Sequence, residues 1–270
     1  MSSYIQRRGE MIPLEQRQLI SKRYHTVTSA MNSEFWSSNS ETANSLYVGS
    51  YGRNTAIDTS DIDILVILPE QEYQRYDYSR GNGQSRLLQA VRKAILSSYP
   101  RSNVSADGQV VKIDFTDGMK FEILPAFKSL DWFGNWTGTY RYPDTNMGGN
   151  WRTTNPKAEQ EAMAKKNRET NGLLNDTCKH IRFIRDNYYS SYHLSGIVID
   201  SFVYGAIGGW HWIDGGLSRY PAGHFEQVLY QVFSDMNYTG PRLYAPGSNQ
   251  TVDASGSMDC LGKVLKYIKG

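Results

Sequence analysis

Tyr47-Val-Gly-Ser-Tyr-Gly-Arg-Asn-Thr-Ala-Ile-Asp-Thr-Ser-Asp-Ile-Asp-Ile-Leu-Val, residues 47 to 66, joins one strand and a glycine turn to a second strand through a polar loop, Gly52 to Ser60. The second strand is predicted from Asp61 to Leu68 and is halted by Pro69, which has no N–H to continue a ladder. Side chains alternate across a strand, so Asp61, Asp63 and Leu65 share one face, with Ile62, Ile64 and Val66 on the other. Two carboxylates placed side by side repel unless a cation neutralises them, and hard oxygen donors of this kind suit Mg²⁺ or Mn²⁺. At the turn, Gly49 permits close backbone approach and the Ser50 hydroxyl can reach a phosphate. Either half alone is weak, because a glycine turn or a solvated Asp-x-Asp arises often by chance. Together, with Asp-x-Asp about eleven residues after Gly-Ser and entering an apolar run, they read as a triphosphate cradle beside a metal pair.

Around this segment, residues Leu14 to Trp36 carry Leu14, Leu19, Ile20, Tyr24, Val27 and Met31 near a helical period, which predicts a cover helix. A second helix is expected over Ser85 to Ser98, closed by Pro100. Val110 to Phe115 and Lys120 to Leu124 flank Thr116-Asp117-Gly118-Met119, whose Asp-Gly centre signals a hairpin. A tight turn there pairs Phe115 with Lys120 and Ile113 with Glu122. Asp114 and Glu122 then point to opposite faces, and only one of them can join the carboxylate pair. Asp131 to Asn155, rich in Trp, Tyr, Gly, Asn and Thr and without a period, reads as a long functional loop or inter-domain connection. After Pro156 the pattern is helical through Tyr188, with Leu174, Cys178, Ile181 and Ile184 as its apolar stripe. Further helices are expected at Ile197 to Ala206, His224 to Met236 and Cys260 to Ile268. This succession predicts an α+β chain, with a mixed-sheet catalytic core over 1–155 that includes the N-terminal cover helix, and a helical domain over 156–270.

The 270 residues suffice for one large or two moderate domains, and 39% hydrophobic with 21% charged residues is ordinary globular composition. A net charge of +2 gives no global attraction to polyanions, so no long nucleic acid is required and any anion site must be local. Cys178 and Cys260 form no CxxC pair, and the five histidines, His25, His180, His193, His211 and His224, lack metal-ligand spacing. The glycine pairs Gly208-Gly209 and Gly215-Gly216 lack the Gly-Lys-Ser ending of a Walker loop. No leader-like or membrane-spanning stretch is visible, and the expectation is a cytoplasmic protein.

Residues 47–66 resemble the signature of the DNA polymerase β nucleotidyltransferase superfamily. Phe121-Glu-Ile-Leu-Pro-Ala-Phe resembles the segment carrying the third catalytic acid in the 2′-5′-oligoadenylate synthases and cyclic GMP-AMP synthase, and the bacterial cGAS/DncV-like nucleotidyltransferases match in length and organisation as well. The resemblance implies a polymerase-β-like sheet facing a C-terminal helical half, with the active site in the cleft between them. It places Gly49 and Ser50 at the phosphates, Asp61 and Asp63 as the first two metal acids, and Glu122 at the third position, where aspartate is usual. By register with the family segment Glu122 is preferred over Asp114. Lys179-His-Ile-Arg-Phe-Ile-Arg resembles the family helix whose basic residue reaches the triphosphate, which nominates Lys179, Arg182 and Arg185; Ser195, at the start of the next helix, can reach phosphate in the same way or serve as an ordinary N-cap.

The activity implied is the metal-dependent joining of nucleoside triphosphates, ATP, GTP or pyrimidine triphosphates, into a cyclic di- or oligonucleotide second messenger for antiviral defence. A regulatory protein partner is left open. Two other readings stand beside it: a nucleotidyltransferase that modifies RNA ends, a small molecule or a protein, and a catalytically silent nucleotide sensor. The retained Asp61 and Asp63 speak against the sensor, since a binder has no need of two adjacent repelling charges.

Overall fold

The computed structural model describes residues 4–213, 224–240 and 242–270; the Gly215-Gly216 pair lies outside them. In chain order the elements begin with α1 (Leu14–Trp36), β1 (Ser45–Tyr47), α2 (Gly49–Gly52), β2 (Ile62–Ile67), α3 (Glu70–Asp77) and α4 (Gly83–Ser98). There follow β3 (Asn103–Asp107), β4 (Val110–Asp114), β5 (Lys120–Leu130), β6 (Trp136–Asp144) and β7 (Asn150–Thr154). The remainder is α5 (Pro156–Glu169), α6 (Leu173–Tyr188), α7 (Gly196–Ala206), α8 (Phe225–Thr239), β8 (Leu243–Tyr244), β9 (Thr251–Val252) and α9 (Met258–Lys269). Among the described residues no helix is long and apolar enough to cross a membrane.

The chain forms two compact units. One comprises Pro13–Gly52 and Asp61–Pro156; the other comprises the N-terminal segment through Ile12, the loop Arg53–Ser60 and the chain from Lys157 onward. The first is built on a mixed seven-stranded sheet of order β1-β2-β5-β4-β3, with β6 on the far end of β5 and β7 beyond it. β2 and β5 run parallel, and the other neighbours are antiparallel. Ile62, Ile64 and Val66 are all but fully buried, as are their β5 and β4 neighbours Phe121, Ile123, Val111 and Ile113. α4 supplies Leu87, Leu88, Val91 and Ile95 to this core and α1 supplies Ile20 and Val27, spacings that keep one helical face inward. Asn82 caps α4, its side chain accepting from the Ser85 N–H at 2.9 Å. Pro125 sits in β5 between the end of the β4 ladder, at Ile123, and the start of the β6 ladder, at Phe127. A residue without an N–H is tolerated where a strand changes partners.

Three expectations need correction. Asp131 to Asn155 is not a structureless connection: it holds β6 and β7, whose Tyr140, Tyr142 and Trp151 are the β-forming aromatics that composition alone made look loop-like. The helical stretch after Pro156 is two helices, broken where Asn171 and Gly172 take left-handed φ of 52° and 93°. The Asp-Gly hairpin is not tight. Phe115 N–H donates to Met119 O, Asp114 pairs with Lys120 and Lys112 with Glu122, so the loop is the three residues Thr116 to Gly118, with Gly118 at φ 87°. Asp114 and Glu122 therefore share a face, and facing does not exclude either of them.

The second unit is helical. α5 to α9 bury Met163, Leu174, Cys178, Ile181, Val198, Phe202, Leu229, Leu261 and Leu265 in one core, together with Ile5 from the N-terminal segment. That segment is tied down by its backbone: Ile5 N–H donates to Glu226 and Arg8 N–H to Asp176, while Lys179 Nζ donates to Gly9 O at 2.6 Å. Both cysteines are free and buried.

Candidate active site

The acid face of the sheet is the face opposite the helical cover. β2 and β5 lie side by side in parallel register with Asp63 level with Glu122 and Ile62 level with Phe121. Asp61 stands just before β2, two residues from Asp63 and on the same side of the strand. Further along that face Leu65 is covered by Val48, Ala126 and Tyr140, so the carboxylates occupy the open end of an otherwise packed surface.

The glycine turn lies directly on the second acid. Val48 N–H donates to Asp63 O and Gly52 N–H to Val48 O, both at 2.9 Å, which folds residues 49–52 into one helical turn against β2. Gly49 has φ 59°, and a Cβ at this position would collide with the Asp63 carboxylate. Only glycine satisfies both the left-handed backbone and this contact. Behind the turn Tyr47 stacks on Tyr24 with centroids 4.2 Å apart and touches Tyr51 at 4.7 Å; burial holds the Tyr47 hydroxyl protonated well beyond its ordinary range.

Glu122 has a perturbed carboxyl, chiefly through burial. Burial raises its carboxyl above the usual range, Lys112 opposes this from 3.6 Å across the β4–β5 pair, and the charge of Asp61 adds to the rise. Lys112 is itself held by Asp107 at 2.7 Å. Asp114 lies on β4, which is separated from β2 by β5, and its Oδ2 accepts from Asn103 on β3 at 2.9 Å. The donor set of Asp61, Asp63 and Glu122 is made of hard oxygens of like charge, which fits a divalent cation in kind. Among the described residues no group of three such side chains is already placed to hold a metal ion.

The basic residues expected at the triphosphate belong to the helical unit. Arg182 is 1% exposed, its Nη1 donating to Asp200 Oδ1 at 2.7 Å and its Nη2 to the Gly196 carbonyl. It is a core residue here, drawn inward by the buried Asp200. Lys179 is also buried, and burial lowers its pKa while its ammonium serves Gly9 O. Arg185 lies nearer the surface, paired with Asp186 and donating to Leu194 O at 2.9 Å. Ser195 occupies the N-cap position of α7 without a side-chain cap bond, and its N–H donates to Ser257 Oγ.

Sequence reading passed over Arg53, Glu159 and Asp200. Arg53 donates from Nε to Asp200 Oδ2 at 2.8 Å and from Nη1 to Glu159 Oε2 at 2.9 Å, in a site where all three are buried. A signal existed: an aspartate inside Gly-Ile-Val-Ile-Asp-Ser-Phe-Val is an acid in an apolar helix, which demands a buried cation.

Asp61, Asp63 and Glu122 thus share one face of the sheet, with the Gly49–Gly52 turn seated on Asp63. The Second Messenger Oligonucleotide or Dinucleotide Synthetase domain matches residues 2–167, and the chain belongs to this family of cyclic-oligonucleotide-forming nucleotidyltransferases. Solved structures share the fold across nearly the whole chain. The CdnE cyclic dinucleotide synthase of Elizabethkingia meningoseptica, with GTP and Apcpp, has a TM-score of 0.64 at 14% identity, covering 96% of this chain and 93% of its own. The Rhodothermus marinus CdnE c-UMP-AMP synthase, with Apcpp and Upnpp, has 0.59 at 15%, covering 92% and 88%. CdnC of E. coli MS115-1, in complex with HORMA-deltaN, has 0.53 at 14%, covering 95% and 82%. No curated protein matches the chain by sequence.

Proposed function

We propose that this chain condenses ATP, GTP or a pyrimidine triphosphate into a cyclic di- or oligonucleotide, with its chemistry on the acid face of the sheet. The observation that carries this reading is Glu122 level with Asp63 on adjacent parallel strands, beneath a turn that only Gly49 can form. Asp61, Asp63 and Glu122 would hold the divalent ion, Mg²⁺ or Mn²⁺, which supplies charge at the ribose oxygen and at the departing pyrophosphate. Gly49 and Ser50 hold the phosphates from the turn, and of Lys179, Arg182, Arg185 and Ser195 on the helical side, Arg185 and Ser195 are the less buried candidates. Each condensation forms a bond from an acceptor ribose oxygen to the α-phosphorus and breaks the bond to pyrophosphate. Synthases of this fold are known with both purine and pyrimidine nucleotide analogues, so the fold alone does not select the bases. The product would signal to an effector in antiviral defence, in the cytoplasm, and the complex of CdnC with HORMA makes a regulatory protein partner reasonable.

Incubation with the four ribonucleoside triphosphates and Mg²⁺ or Mn²⁺, followed by mass spectrometry, tests the reading. Cyclic products are expected. Transfer of a nucleotide to RNA or protein would point to the end-modifying class, and triphosphate binding without turnover to a sensor.

A further inference from the structure

The loop Arg53–Ser60 is the chain's only covalent link between the phosphate turn, which ends at Gly52, and the first acid, Asp61, yet it belongs to the helical unit. It is held there by buried charge. Asp200, fully buried on α7, accepts from Arg182 on Oδ1 and from Arg53 and Thr55 on Oδ2, the last at 3.0 Å. Glu159 on α5 takes the other arm of Arg53. Two guanidinium groups thus face two carboxylates, and Arg53 is fixed from two different helices. Nearer Asp61, Thr59 Oγ1 donates to Asp186 Oδ2 at 2.6 Å, and Asp186 is the partner of Arg185. The loop also closes on itself, with Ile57 N–H donating to Ser60 Oγ.

Buried ion pairs add little net stability compared with well-packed apolar groups, so a core alone does not explain this one. What a guanidinium fork does add is direction, since two divergent acceptors fix its plane as well as its position. We propose that Arg53 is a positioning residue, whose pairing with Asp200 and Glu159, supported by Thr55, sets the path of the loop and hence where the chain re-enters the sheet unit at Asp61. This rests on the nucleotidyltransferase reading of Asp61 and Asp63. Arg53 touches no reacting atom in this scheme; it acts on kcat through the alignment of others.

The test compares Arg53→Met, Arg53→Lys and Thr55→Val in the full chain by amide hydrogen exchange over residues 53–60 and by steady-state kinetics. In Arg53→Met the loop amides should lose protection while the α6 core keeps its own, and kcat per folded molecule should fall about 100-fold with KM changed less than about three-fold. Arg53→Lys, which keeps the charge but not the fork, should recover about a tenth of the lost rate. Retained loop protection, or kcat within about three-fold of wild type, would overturn the proposal. If Arg53→Met does not fold, Thr55→Val decides: a loss of about tenfold in kcat per folded molecule, beyond the modest drop in Tm from one lost buried hydrogen bond, supports positioning, and full activity overturns it. A wild-type chain that forms no product fails the nucleotidyltransferase reading instead, and the exchange data still judge the anchor.

Discussion

Gly49 and Asp63 are in contact, and the contact constrains both. Gly49→Ala should destabilise the protein by about 1–3 kcal/mol through its left-handed backbone, and it should also abolish product formation by displacing the Asp63 carboxylate. Denaturant melts and turnover measured on the same sample check both effects. Asp61→Asn and Asp63→Asn keep the side-chain volume and should abolish product with little change in Tm; near-normal turnover in either removes that residue from the metal set. Glu122 behaves differently because its folded-state pKa is raised. A carboxyl raised in this way binds its proton more readily folded than unfolded, so it favours folding at low pH and opposes it once pH passes the raised value. Glu122→Gln should therefore raise Tm slightly at neutral pH in the presence of a chelator while costing activity by orders of magnitude. Asp114→Asn should do neither, and activity lost there but kept in Glu122→Gln would reverse the choice of third acid.

At the scale of elements, the hairpin that fixes Glu122 turns on Gly118. Gly118→Ala should cost about 1–2 kcal/mol for its left-handed φ, yet leave turnover per folded molecule intact, in contrast with Gly49→Ala. Much of this level was legible beforehand. α1 appears over the predicted residues, and the alternation through β2 placed Asp61 and Asp63 on one face. What was missed has physical causes. Hairpin register depends on a single residue of loop length, and Asp-Gly serves a three-residue loop as well as a two-residue one. β6 and β7 were hidden because Tyr and Trp among Gly, Asn and Thr carry no strict alternation; their pairing comes from β5, a tertiary partner. The pairing of Arg182 with Asp200 was not legible, because an ion pair between two helices is a tertiary contact that neither helix shows by itself.

For the molecule as a whole, the buried Arg53, Arg182, Glu159 and Asp200 group makes a prediction about acid. Burial by itself would raise the Asp200 carboxyl, but the charges and hydrogen bonds of Arg182 and Arg53 bring it down to about 2. A depressed carboxylate lends stability that is fully present above its unfolded value of about 3.9 and is lost as pH falls toward about 2. Wild-type Tm should drop through that window, and Asp200→Asn should be less stable at neutral pH by about 3–5 kcal/mol, with a flatter acid limb. A variant that tracks wild type through the window would contradict the assignment. On the proposed reading, the acid face builds phosphodiester rings from nucleoside triphosphates. The most direct measurement counts pyrophosphate released against nucleotide incorporated, in the presence of Mg²⁺ or Mn²⁺, and then treats the product with phosphatase. One pyrophosphate per linkage and a product that resists phosphatase, because a ring has no terminal phosphate, are predicted, with both lost in Asp63→Asn. Pyrophosphate release that yields only phosphatase-sensitive chains, or a ring still formed by Asp63→Asn, would rule out ring synthesis on this acid face.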